Sequence, residues 1–291
     1  MSNRLDLHIH SQASDGADSI PDLLRKIQRS DIHTFAITDH DTLEGSDQMK
    51  TLVPDTLHFI RGIEFTCVTP NRKCHILGYG FNPLDPNFQH ALTLVKNLRQ
   101  EKKRLRIDFL KNELGIELTK DELTWLNQQV SPGKPNFAEI VVKHGLAPDI
   151  DTAIAQYINK CKTPREGIDA QIAIQAILKS GGIPVWAHPL GGEGERRLTT
   201  DKFHTQLTTL IEYGIQGLEC YYSRYSQKES AFLLSEAQSH DLLVSAGSDY
   251  HGRNKKNLNL GQLNTENVMI HPDQVTLLKE LKSDVKQLPS R

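Results

Sequence analysis

Leu5-Asp6-Leu7-His8-Ile9-His10 alternates apolar and polar residues with a period of two. That pattern predicts a β-strand with one buried face, and it sends His8 and His10 out on the same side. Two imidazoles spaced about 6–7 Å along a strand can close on one ion. A lone His-x-His also occurs on ordinary strands, so its meaning depends on what recurs downstream. Three further stretches repeat the theme at the ends of expected strands: Thr38-Asp39-His40-Asp41, Ala187-His188-Pro189 and Gly247-Ser248-Asp249-Tyr250-His251.

Around these stretches strands and helices alternate. Strands are expected at Leu5–His10, Thr34–Thr38, Leu57–Cys67, Lys73–Tyr79, Ile183–Ala187, Gly217–Tyr221 and Leu242–Ala246, with a last one at Leu258–Leu263. Helices are expected at Ile20–Arg29 with Pro21 in its first turn, at Thr42–Leu52, Ala170–Lys179, Lys202–Tyr213 and Gln227–His240, and finally at Pro272–Leu281. Strand–helix alternation points to a parallel α/β sheet. Between about 85 and 182 the pattern holds no strand and reads as helices, beginning with a long basic one over His90–Leu114. The division is a barrel domain over 1–98 and 168–291 with a helical insertion subdomain over 99–167. Ligands carried on six or so strand ends favour a closed, barrel-like sheet, whose strand ends converge on one face.

The chain has 291 residues and a formal net charge of −2, with a sequence pI near 6.7. No overall basic field would recruit nucleic acid or an anionic membrane. The four cysteines are isolated, as in a reducing compartment. No apolar run reaches spanning length and no leader precedes the first strand, so a cytoplasmic protein is expected.

The candidate ligands are His8, His10, Asp15, His40, Glu64, His75, His188, Asp249 and His251. Six imidazoles with three carboxylates suit Mn, Fe or Zn better than Ca or Mg. Nine donors exceed the needs of one ion and match two or three divalent transition-metal ions. Three such ions carry six positive charges; three carboxylates and one hydroxide remove four. The remainder matches a phosphate dianion.

These stretches, with Gly62-Ile63-Glu64 and Cys74-His75-Ile76, resemble in order and type the motifs of the PHP (polymerase and histidinol phosphatase) superfamily. The likeness is greatest to its stand-alone bacterial metal-dependent phosphoesterases. The resemblance implies a distorted (β/α)7 TIM-like barrel with a trinuclear site. His8, His10, Glu64 and Asp249 would hold one ion; Glu64 would bridge to a second held by His75 and His188; Asp15, His40 and His251 would hold the third. It also implies hydrolysis of phosphate esters by a metal-bridging hydroxide, positioned by Asp15, His40, Glu64 and His251. Asp39 and Asp41 would orient ligating histidines.

The expected substrate is a small phosphorylated molecule, a nucleotide or sugar phosphate, taken as a monoester or cyclic phosphate. The alternatives are a 5′–3′ exoribonuclease acting on an RNA 5′ end, or a non-catalytic, metal-stabilised accessory module. An amidohydrolase is a further chemical rival, because that class also begins with His-x-His on a barrel strand. No obligate protein partner is evident. Arg224, after the strand ending at Tyr221, could reach the substrate phosphate, as could Lys134 and Arg165 in the insertion and Arg196 or Arg197 after His188. Relatives place an Arg near Lys134 and a Tyr-Val-Pro run near Thr163-Pro164, so this chain departs from the family at both positions.

Overall fold

The computed structural model describes residues 4–129, 132–164 and 167–281. They divide into two compact units, one made of the residues up to Leu92 and from Gly167 onward, the other of those between. In chain order the elements are β1 (Arg4–Asp6), α1 (Ile20–Arg29), β2 (Ile32–Ile37), α2 (Glu44–Leu52), β3 (His58–Val68), β4 (Lys73–Tyr79) and α3 (Pro86–Leu114). There follow α4 (Lys120–Gln128), α5 (Lys134–Lys143), α6 (Ile150–Gln156), β5 (Ile168–Asp169), α7 (Ala170–Lys179), β6 (Ile183–Trp186) and α8 (Thr200–Tyr213). The last are β7 (Gly217–Tyr222), α9 (Gln227–Ser239), β8 (Leu243–Gly247) and α10 (Leu277–Leu281). Among the described residues no helix is long and apolar enough to cross a membrane.

Local sequence explains the helix ends. Ser19 caps α1 by accepting the Asp22 N–H, Pro21 sits in the first turn, and Ile20, Leu23 and Ile27 form its buried stripe. Ser226 and Glu229 form a reciprocal capping box at α9, as Thr119 and Glu122 do at α4. The second unit has its own core, in which Leu110, Leu126, Phe137, Ile140 and Val141 are buried together.

Among the described residues eight strands form one sheet in the order β1-β2-β3-β4-β6-β7-β8, with β5 paired to β3. The sheet is mixed, which corrects the expectation of parallel strands throughout. β4 runs antiparallel to both β3 and β6. The cause is the connection: β3 and β4 are joined by a tight turn in which the Thr69 N–H donates to Arg72 C=O at 2.8 Å. A parallel crossover needs a dozen or more residues.

The expected closed barrel is likewise not a continuous ladder. β1 ends at Asp6, short of the expected His10, and among the described residues no β1–β8 ladder forms. Beyond Asp6 the backbone meets the last strand through single bonds: Leu7 N–H to Ala246 C=O at 3.0 Å, Asp249 N–H to His8 C=O at 2.8 Å and His10 N–H to Tyr250 C=O at 2.9 Å. The strand expected over Leu258–Leu263 is a succession of turns, and Gly261 there adopts φ 72°. The final expected helix is split into a 3-10 turn at Pro272–Gln274 and the short α10. β5, a two-residue strand, lies where no strand was expected.

Candidate metal centre

The donors converge because the parallel strands end on one side of the sheet and β4 begins there. His8 and His10 follow β1, His40 follows β2, Glu64 lies in β3, His75 in β4, His188 follows β6, and Asp249 and His251 follow β8. An isolated parallel bridge sets His40 beside Glu64. Gly247 is required beneath His8, since a Cβ there would stand 2.1 Å from His8 Cβ. All nine residues named from the sequence lie in this cluster.

Three groups share members. His8 Nε2 lies 3.1 Å from His10 Nε2, 3.2 Å from Glu64 Oε2 and 3.5 Å from Asp249 Oδ1. His10 Nε2 lies 3.1 Å from Glu64 Oε2 and 3.3 Å from Asp249 Oδ1. Glu64 Oε1, His75 Nδ1 and His188 Nε2 form a triangle with all three sides 3.2 Å. Near the mouth, Asp15 Oδ1 is 3.1 Å from His251 Nε2, Asp15 Oδ2 is 3.9 Å from His40 Nε2, and His10 Nδ1 is 3.6 Å from Asp15 Oδ1. Donors about 2.1 Å from one ion stand about 3.0–3.4 Å apart in octahedral or tetrahedral geometry.

Hydrogen bonding alone does not account for this packing. Glu64 Oε2 has three imidazole nitrogens, from His8, His10 and His40, at 3.1–3.2 Å, yet it makes no hydrogen bond of acceptable geometry. An ionised carboxylate oxygen offers about two acceptor directions. His251 Nε2, buried, also lacks such a bond among the described residues. The donor set and these atoms fit divalent transition-metal ions.

Burial would raise the Glu64 carboxyl, but His40, His8 and His75 hold it well below the usual range. Asp249 is held low in the same way by Lys255 and His251. Burial pulls His10 down, yet Asp249 and Glu64 outweigh it and push it up to about 9. An ion entering this cluster must therefore displace protons.

Several supporting residues were not singled out from the sequence. Glu219 Oε1 is 2.8 Å from His8 Nδ1, and Tyr222 Oη donates to Asp249 Oδ2 at 3.2 Å. Lys255 Nζ donates to the same oxygen at 3.3 Å, which places an ammonium beside the cage. Asp6 accepts from the N–H groups of His8, Ser248 and Gly261 and from Ser248 Oγ. Burial pushes its carboxyl up to about 6, and those donors oppose a further rise. A carboxylate within an apolar strand, as in Leu5-Asp6-Leu7 or Leu218-Glu219-Cys220, is the signal that marks Asp6 and Glu219. Lys255 has no such signal.

One of the two aspartates flanking His40 acts differently from expectation. Asp39 accepts from Ser11 N–H, Ser11 Oγ and Ser14 Oγ at 2.6–2.7 Å, so it holds the loop after β1 rather than an imidazole. Asp41 Oδ1 accepts the Thr66 N–H at 2.7 Å. Among the basic candidates, Arg197 is committed to Glu229, Gly191 C=O and Arg224 C=O, with its guanidinium over the Tyr225 ring. Arg224 Nε is 2.9 Å from Glu193 Oε2. Arg196 is exposed, and Lys134, in the second unit, donates to Asn159 Oδ1 at 2.9 Å. Arg165 lies outside the described residues.

A 5′–3′ exoribonuclease of Haemophilus influenzae is 28% identical over 260 residues, covering 86% of this chain and 91% of that protein. A 3′,5′-nucleoside bisphosphate phosphatase of Chromobacterium violaceum is 25% identical, covering 85% and 87%. A crystal structure from Bifidobacterium adolescentis, described as a metal-dependent phosphoesterase, superposes with a TM-score of 0.77 at 24% identity, covering 97% of this chain and 96% of that one; at that identity it speaks for the fold. Residues 6–129, which include His8, His10, Asp15, His40, Glu64 and His75, match the family model of the PHP domain.

Proposed function

We propose that this protein is a metal-dependent hydrolase of phosphate esters, acting on a small nucleotide or sugar phosphate. The observation that carries the reading is Glu64, whose two oxygens meet five imidazole nitrogens at 3.1–3.2 Å. His8, His10, Glu64 and Asp249 would hold one ion; Glu64, His75 and His188 a second; Asp15, His40 and His251 a third. Bound divalent ions supply water activation near neutral pH and neutralise charge on phosphoryl oxygens.

The chain's own groups do the rest. Asp15, with a half-exposed side chain, and His40 stand at the mouth, where they would help to position the incoming ester. His251 and Glu64 hold the buried side of the reacting group in place. Lys255, beside Asp249, adds a cation next to a dianionic substrate. The same reading takes the mixed sheet as a distorted (β/α)7 barrel whose β1–β8 seam is made of single hydrogen bonds.

A second reading, trimming of RNA from its 5′ end, is supported by the likeness to the Haemophilus influenzae exoribonuclease across most of both chains. One experiment tests both. The protein is stripped of metal, reloaded with Mn2+, and offered nucleoside 5′- and 3′-phosphates, bisphosphates, cyclic phosphates and a 5′-phosphorylated oligoribonucleotide. Phosphate release from the small esters is expected. Shortening of the oligomer with little release from the small esters favours the second reading, and no turnover of any of them with Mn2+ bound refutes both.

A further inference from the structure

Glu219 is fully buried, and each of its oxygens is bound to a different part of the cage. Oε1 lies 2.8 Å from His8 Nδ1, which puts the proton on Nδ1 and leaves Nε2 turned toward His10, Glu64 and Asp249. Oε2 accepts the His188 N–H at 2.7 Å. His188 sits at φ 30°, a left-handed conformation that strains a non-glycine residue. From there its Nε2 reaches Glu64 Oε1 at 3.2 Å.

The strand is shaped to deliver this carboxylate. Glu219 pairs with Ser245 and Tyr221 with Ala246, so Cys220 is an extra residue in β7. Regular alternation would send Glu219 and Tyr222, three residues apart, to opposite faces. The bulge restores them to one face, where Glu219 holds His8 and Tyr222 holds Asp249. Gly247 clears the space, since a Cβ there would lie 2.8 Å from Glu219 Oε1.

We infer that Glu219 is a positioning residue shared by two ion sites, setting His8 for one and His188 for the other through a single buried side chain. This rests on the metal reading proposed above. In Glu219→Gln the amide oxygen can accept from either His8 or the His188 N–H, while its NH2 group faces the other donor. One partner is released whichever way the amide lies, and the negative charge that strengthens His8 as a ligand is lost.

The test is Mn2+ binding to the stripped full chain, without substrate, by competition with a chromophoric chelator. Anomalous scattering from crystals at limiting Mn2+ reads the occupancy of each position. Glu219→Gln is expected to weaken binding about 10- to 100-fold at both the His8 and His188 positions and to spare the Asp15–His40–His251 position. Glu219→Asp keeps the charge but is too short to span both partners, and intermediate weakening is expected; it carries the test if the Gln variant does not fold. Wild-type affinity at both the His8 and His188 positions in these variants, or equal weakening at the Asp15–His40–His251 position, overturns the inference. Failure of the wild-type chain to bind Mn2+ overturns the metal reading and this inference with it.

Discussion

Replacing Asp6 by Asn changes one buried atom pair and tests how the cage is held before any ion enters. Asp6 Oδ2 accepts Ser248 Oγ–H at 2.6 Å and Gly261 N–H at 2.8 Å, while Oδ1 accepts Ser248 N–H at 2.9 Å and His8 N–H at 3.3 Å. An amide of the same shape keeps one acceptor oxygen and turns an NH2 toward the other two donors. With the NH2 on the Oδ2 side, the Ser248 hydroxyl can rotate to accept, but the Gly261 N–H cannot. A buried donor left without a partner costs about 1–3 kcal/mol, and bonds to a charged acceptor are worth about 1.5–3 kcal/mol each, partly retained here. Burial, which raises the Asp6 carboxyl to about 6, imposes on the ionised group a desolvation cost that Asn escapes, so the net loss expected is about 1–2 kcal/mol. The assay is urea unfolding of the metal-free protein at pH 8, where Asp6 is ionised. The chain has two tryptophans, so a Trp125→Phe background leaves Trp186 on β6, stacked on Phe203, to report the strand-bearing unit. A loss below about 0.5 kcal/mol, the level of an ordinary surface change, refutes the reasoning.

Glu64→Gln removes the carboxylate that two ion positions share, and Mn2+ affinity is expected to fall by more than about 100-fold, beyond what loss of an outer partner costs; retained affinity would show that Glu64 is not a ligand. Because His10 holds its proton up to about pH 9 in the ion-free protein, Mn2+ must displace it below that pH. Mn2+ affinity is expected to rise at least about tenfold per pH unit between pH 7 and 8.5, and a flat profile in chelator competition contradicts this. Stripping the ions is expected to lower the melting temperature and adding Mn2+ to restore it in a concentration-dependent way; a melting temperature indifferent to Mn2+ counts against a resident metal.

The clustered donors were legible in the sequence because their signal is local. His8 and His10 alternate with apolar residues in the segment that continues β1, and His40, His188, Asp249 and His251 each sit just after an apolar strand. The residues that hold them were harder to read because their direction depends on tertiary structure. Tyr222 points into the cage only because Cys220 makes β7 bulge, and no local pattern announces that extra residue. Asp39 looked like a partner for a clustered histidine, but Ser11 and Ser14 take both its oxygens. The reversal of β4 was available in principle, since only Thr69–Arg72 separates two strands, but strand–helix alternation elsewhere masked it. β1 stops early because the backbone from Leu7 to His10 is bonded to the end of β8.

Backbone strain separates what the chain imposes on the cage from what an ion would impose. Non-glycine residues with positive φ include Asp31 and Asp241, which follow the ends of α1 and α9, where a left-handed Asp is an ordinary helix stop. Asp41, His188 and Asp249 are different: each follows a strand, and each directs its N–H to another strand of the cage. Asp41 N–H donates to Glu64 C=O at 2.9 Å, Asp249 N–H to His8 C=O at 2.8 Å, and His188 N–H to Glu219 Oε2 at 2.7 Å. Of the three acceptors only Glu219 carries a charge, and it serves His188, the residue with the bulkiest side chain in the left-handed region. A charge-assisted bond worth about 1.5–3 kcal/mol can offset strain of about 1–3 kcal/mol. The protein's own hydrogen bonds thus hold these three turns, and with them the directions of His188 and Asp249, before any cation contributes.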